Sequence, residues 1–109
     1  MSTTAKRKLI ARFRKSEAVC EQVMTMISLL GNKTRFRILC TLAEGDFCVT
    51  DIVEIVQEGK ISYVSQQLRM LTLAGYVDKY RDKKQVFYRL VDPKIRLMID
   101  FLHDHYLPH

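Results

Sequence analysis

The stretch "KISYVSQQLRMLTLAGYV", residues 60–77, crowds hydrogen-bonding side chains onto one side of a helical pattern. Val64, Leu68 and Leu71 mark the apolar side at helical spacing. Ser62, Tyr63, Ser65, Gln66, Gln67 and Arg69 mark the other, with Lys60 just before them. As a set these groups donate and accept hydrogen bonds, and such a face suits the edges of bases. A Gln amide can pair with adenine, a Ser hydroxyl with several bases, and Arg69 or Lys60 with guanine or phosphate. An ordinary solvated amphipathic helix carries a similar face, so the segments around it must decide.

A second polar group follows directly. "YVDKYRDKKQVFYRLV", residues 76–91, alternates around a charged tip, and strand-favouring Tyr, Val and Phe flank that tip. This predicts a β-hairpin with a basic end. Arg81, Lys83, Lys84 and Gln85 would then reach a neighbouring phosphate backbone or minor groove.

Thiols form the third set. Cys20, Cys40 and Cys48 are odd in number, so they make no disulfide framework. They fit a reducing cytoplasm, where a thiol is either a packing residue or a reactive one. Cys40 lies well round its helix from Ile38, Leu39 and Leu42. Lys33, Arg35 and Arg37 are close in sequence and predict a thiolate, the reactive form. The plain alternative is that each thiol is a small buried hydrophobe.

Four helices and one more must position these groups. Residues 1–15 hold Lys6, Arg7, Lys8, Arg12, Arg14 and Lys15 with no acid, and read as a frayed basic arm ahead of the domain formed by residues 16–109. Val19, Val23, Met26, Ile27 and Leu30 then predict a helix ended by Gly31. Asn32 caps a second helix running through Ala43. Thr50 or Asp51 starts a third helix, which Gly59 breaks. The quoted 60–77 segment is the fourth. Asp92-Pro93 opens a last helix after the hairpin, with Ile95, Met98, Ile99 and Leu102 on its apolar side. The fold class is mainly α with a β-hairpin wing: a winged helix-turn-helix whose fourth helix lies in the major groove of double-stranded DNA.

Composition agrees. A chain of 109 residues makes one small domain, near the size at which a second subunit helps stability. A net charge of +6 points to a polyanion, nucleic acid before membrane, though a generic basic protein carries such a charge too. No apolar run approaches the roughly 20 residues that span a bilayer. The N-terminus has no apolar stretch or cleavage site of a secretory signal. An enzyme fits poorly, since there is no phosphate-cradling Gly loop, nucleophile motif or acid pair. A protein-interaction module is the rival reading, because winged helices serve that purpose as well. RNA binding is disfavoured by aromatics that form no stacking sheet.

These segments resemble a known family. "LLGNKTRFRILCTL" is similar to the opening motif of the ArsR/SmtB (arsenic-repressor) regulators, "ISYVSQQLRMLTLAGYV" to their recognition segment, and "DKKQVFYRL" to their wing. The likeness runs from about residue 23 to 103. It implies a homodimeric DNA-binding repressor released by a metal or chemical signal, with the first and last helices at the dimer interface. Ser62, Ser65, Gln66 and Gln67 fall where the family reads DNA. Gln67 replaces the usual His, and Lys60 replaces a capping Ser, so the helix start is expected at Gly59 or one turn late.

The resemblance also bears on the signal. At the family's Cys-x-Cys metal site this chain has "DFCVTDI", where Cys48 matches and Thr50 replaces the second thiolate. At the last-helix site Asp92 and His105 match, but Lys94 and Pro108 stand at the other two positions. Thiophilic ions need two or three thiolates, so no metal or other cofactor is assigned. His103, Asp104, His105 and His109 crowd the C-terminus and read as a solvated helix end, which the helix dipole favours. Cys40 matches a sensing Cys in a branch that responds to oxidants and reactive sulfur, whose second Cys is replaced here by Leu107. The resulting expectation is a cytoplasmic dimeric repressor tuned by thiol chemistry at Cys40, with Cys20 the first choice of partner and Cys48 another. A metal-responsive repressor is the alternative.

Overall fold

A computed structural model describes residues 3–106. Leu107, Pro108 and His109, invoked above, lie outside the described residues. The chain divides into two compact units, Met1–Gly31 and Asn32–His109.

The first unit holds α1 (Thr3–Lys15) and α2 (Glu17–Leu30). The stretch expected to fray is therefore helical. Ala, Leu, Lys and Arg are strong helix formers, and no Gly or Pro interrupts them. Arg12, Arg14 and Lys15 sit in the last turn, where cations favour the helix dipole. Ser16 separates the two helices. Its Oγ donates to the Arg12 carbonyl at 2.8 Å, a back-bond that bends helices. Neither helix buries a residue, and Phe13, Val19, Val23, Met24 and Ile27 are exposed.

The second unit holds α3 (Lys33–Glu44), β1 (Phe47–Cys48), α4 (Val49–Val56), α5 (Ile61–Leu73), β2 (Val77–Asp82), β3 (Gln85–Leu90) and α6 (Pro93–His105). The Asn32 side chain caps α3 by accepting from the Arg35 N–H at 2.9 Å. Asp92 caps α6 in the same way, accepting from the N–H groups of Lys94 and Ile95. Helix α4 starts one or two residues before the expected Thr50 or Asp51 and ends at Val56, three residues short of Gly59. Helix α5 starts at Ile61, with Lys60 extended at the N-cap and giving no side-chain bond. Loss of the capping Ser leaves the start in register, because burial of Val64, Leu68 and Leu71 sets it.

The sheet is antiparallel in the order β1-β3-β2. Asp82 pairs with Gln85 and Val77 with Leu90, so Lys83-Lys84 alone form the wing turn. Phe47 pairs with Tyr88 and Cys48 with Phe87, which adds a third strand to the expected hairpin. The core is apolar: Ile38, Leu39 and Leu42 of α3, Ile52 and Val56 of α4, Val64, Leu68 and Leu71 of α5, Val77, Leu90, and Ile95 and Ile99 of α6 are all buried. This is the winged helix-turn-helix expected from the sequence. Among the described residues, no helix is long and apolar enough to cross a membrane.

Candidate nucleic-acid interface

Helix α5 divides into two faces. Val64, Gln67, Leu68 and Leu71 are buried, at the i, i+3, i+4 and i+7 positions of one stripe. Ser62, Ser65, Gln66 and Arg69 are exposed, as are Lys60 and Tyr63. Gln67 is thus a correction. It was grouped with the outward polar residues, yet it occupies the inward stripe. Its Oε1 accepts from Arg35 Nη1 at 2.7 Å, tying α5 to α3. Its spacing from Val64 already placed it there.

Tyr63 has a structural tie besides its exposure. The Asn32 amide that caps α3 also donates to the Tyr63 hydroxyl at 3.3 Å. The Tyr63 ring lies against Gly59, whose φ is +78° and whose missing Cβ would stand 2.7 Å from the ring. Only glycine fits that approach. The Tyr63 O–H remains able to donate to an oxygen outside the protein.

Arg37 and Lys33 are drawn toward α4. Arg37 Nη1 donates to the Val56 carbonyl at 2.8 Å and meets Glu58 at 3.3 Å, while Lys33 Nζ lies 2.9 Å from the same carboxylate. The Lys33 ammonium, by hydrogen bond and charge, holds the Glu58 carboxyl below the usual range, with Arg37 assisting.

On the wing, Arg81, Lys83, Lys84 and Gln85 are exposed. Lys83 adopts φ +58°, the left-handed region. Tyr80 anchors the strand behind the tip. Its hydroxyl donates to Asp46 at 2.9 Å, its ring stacks on Phe87, and the Arg89 guanidinium lies 5.2 Å above it. A cleft of about 360 Å³ separates α5 from the sheet, lined by Ser65, Arg69, Thr72, Leu73, Lys79 and Tyr88. Lys79 and Tyr88 were missed from the sequence. Lys79 stands two residues before Arg81 and so on the same strand face, which was the available signal. Among the side chains facing outward from α5 and the wing are hydroxyls, the amides of Gln66 and Gln85, and cations, the groups that bind base edges and phosphates.

The thiols differ in setting. Cys20 is exposed, Cys40 half-buried and Cys48 buried. Burial pushes the Cys40 thiol up, and Glu44 adds to that. The expected thiolate is therefore corrected: Arg35 and Arg37 are spent on Gln67, Val56 and Glu58 rather than on Cys40. Cys48 donates to the Asp51 carboxylate at 3.3 Å and lies 3.2 Å from the Thr50 hydroxyl. His105 stacks on Phe101, and its Nδ1 lies 2.9 Å from that residue's carbonyl. Among the described residues, no three His, Cys, Asp or Glu side chains come together as metal ligands would.

Known proteins share this arrangement. Residues 32–79 match the sequence profile of bacterial regulatory proteins of the arsR family. A biofilm growth-associated repressor of Agrobacterium fabrum is 37% identical over 82 residues, covering 75% of this chain and 69% of that protein. A repressor of the same description in Xylella fastidiosa is 32% identical, covering 80% and 75%. The solved structure of the Xylella fastidiosa transcriptional repressor BigR superposes with a TM-score of 0.76 at 29% identity, over 88% of this chain and 97% of that one. Reduced HlyU from Vibrio cholerae superposes with a TM-score of 0.80 at 25% identity, over 87% and 99%. With its capped α3, its two-faced α5 and its wing in the family's order, this chain belongs to the arsR family of bacterial regulatory proteins: it is a DNA-binding transcriptional regulator, not an enzyme.

Proposed function

We propose that the protein is a homodimeric repressor that holds operator DNA through α5 and the β2–β3 wing, and that modification of its thiols loosens that hold. The observation that carries the DNA reading is the exposed row Ser62, Ser65, Gln66 and Arg69 on α5, accompanied by the cations of the wing. Gln66 reads a base edge. Arg69, Lys60, Lys79, Arg81, Lys83 and Lys84 neutralise phosphate, and Tyr63 donates its hydroxyl to the same backbone. Gln67 acts from behind, by holding Arg35 and the pitch of α5.

Pairing of two subunits is supported by apolar side chains left in water. Leu97 and Phe101 of the last helix are 70% and 54% exposed, Tyr106 just past its end is 77% exposed, and α2 shows a similar face. An apolar surface of this kind marks an interaction site. The relatives named above are repressors, which supports the direction of control.

The thiol reading rests on Cys40. A half-buried thiol held protonated is a slow nucleophile, but its product is larger and more polar than the site accepts. That HlyU is described in a reduced state supports a thiol-responsive reading for its relative. The partner of Cys40 is Cys20, Cys48, the second subunit's thiol or a small thiol, with Cys20 the most accessible.

The test is operator binding by wild type, Cys20→Ser, Cys40→Ser and Cys48→Ser under reductant, peroxide and polysulfide, with mass spectrometry of the thiols. Affinity should fall on modification in wild type and persist in Cys40→Ser. Modified cysteines with undiminished affinity would refute thiol control. Failure of reduced protein to prefer any duplex over random DNA would refute the DNA reading.

A further inference from the structure

The charge of this protein is placed unevenly. All six cations of α1, Lys6, Arg7, Lys8, Arg12, Arg14 and Lys15, are exposed, and the helix contains no acid. Their number equals the net charge of the whole chain, +6, so residues 16–109 carry as many acids as cations. In the winged unit, moreover, several cations are committed to acceptors of the protein itself: Lys33 and Arg37 to Glu58, Arg35 to Gln67, Arg89 to Asp78 and Arg96 to backbone carbonyls. Among the described residues, none of the six α1 cations forms an ion pair.

The helix also arranges them. Lys8, Arg12 and Lys15 stand at i, i+4 and i+7, one above another along roughly 10 Å of a single face. Arg7 and Arg14 form an adjoining row. Leu9, Ile10 and Phe13 occupy the far side, and α1 contacts α2 within its unit. A linear array of unpaired cations on a rigid helix complements a linear array of phosphates.

Resting on the DNA reading above, we infer that α1 is a second DNA-binding element, which grips the phosphate backbone without reading sequence. It adds phosphate contacts to those of Arg69 and the wing, in a molecule whose remaining cations are balanced by acids. The same helix could be imagined on an anionic membrane. Its apolar side of Leu9, Ile10 and Phe13 is too small for that, since an interfacial helix buries a broad apolar face.

The test uses the full-length chain. Lys8→Gln/Arg12→Gln/Lys15→Gln is compared with the charge-preserving Lys8→Arg/Arg12→Lys/Lys15→Arg and with wild type. Operator and random duplex are titrated from low to high salt, and sedimentation checks that all three have the same subunit state. The slope of log affinity against log salt should fall by about 2.7 per protomer in the Gln variant, at about 0.9 per lost phosphate contact. Operator and random duplex should weaken by the same factor, leaving their ratio unchanged. The charge-preserving variant should keep the wild-type slope. An unchanged slope in the Gln variant overturns the inference, as does an equal loss in the charge-preserving one. Loss of binding to phosphatidylserine vesicles with an intact DNA slope would assign α1 to lipid instead. A wild type that binds no duplex at all overturns both readings, whereas one that binds operator and random duplex equally, with a slope that falls in the Gln variant, fails the operator reading alone.

Discussion

At the scale of single residues, adjacent glutamines on one helix have opposite duties. Gln66 points to solvent, while Gln67 is buried and accepts from a guanidinium at 2.7 Å. Gln66→Ala should leave thermal stability unchanged and remove about 1–3 kcal/mol of discrimination at one base position. Gln67→Leu should cost about 1–3 kcal/mol of folding stability, because it breaks a hydrogen bond to a charged donor. Denaturant melts and titrations on matched and mutated duplexes separate the two, and the reverse pattern would mean the faces are misassigned. Cys40 also has a consequence at this scale. Its pKa is raised in the folded protein by burial and then by Glu44. The folded state thus holds the thiol proton longer than the unfolded chain. Its contribution to stability is present at and below neutral pH and is lost as pH climbs through the ordinary thiol range to the raised value. Cys40→Ala should flatten that alkaline decline in stability, and alkylation of Cys40 in wild type should accelerate steeply over the same window.

At the scale of elements, the wing turn holds a residue in a costly conformation. Lys83 has φ +58°, which a side chain tolerates poorly and glycine freely. Lys83→Gly should raise stability by about 1 kcal/mol or less while lowering the DNA salt slope by about 0.9. Lys84→Gln should lower the slope with no gain in stability. A drop in both stability and slope for Lys83→Gly would show that the backbone is not strained there. Elements also show what a sequence reveals. Helices α3, α5 and α6 and the hairpin were legible because each shows an apolar period, and α3 and α6 add the end signals Asn32 and Asp92-Pro93. Strand β1 was not, since Phe47 and Cys48 are too short a run to display a period and are recruited by β3. Gln67 was legible from its spacing and misread from its polarity. Lys79 was legible from its spacing to Arg81 and was passed over, while the fate of Arg35 and Arg37 was illegible, because a long flexible side chain finds its partner only in three dimensions.

At the scale of the whole molecule, the apolar side chains of α6 carry the proposed pairing. Leu97 and Phe101 are exposed and contribute nothing to the core. Leu97→Glu/Phe101→Glu should therefore leave the fold intact by circular dichroism. It should shift sedimentation toward monomer, and operator affinity should fall by well over tenfold as the second half-site is lost. A stable dimer in this variant would move the interface elsewhere.

One side chain ties this scale to the others. Arg96 of α6 donates from Nη1 to the Ala43 carbonyl at 3.2 Å and from Nη2 to the Leu90 carbonyl at 3.3 Å. The end of α3, 53 residues away in sequence, thereby meets the junction of β3 and α6 at one guanidinium. In the language of local opening, this cross-link should make the end of α3, the end of the wing and the start of α6 open as one cooperative unit. Backbone amides of Leu42, Ala43 and Leu90 should exchange with solvent deuterium at similar rates. Arg96→Met should quicken all of them together, and quickening of one segment alone would show that the three open independently.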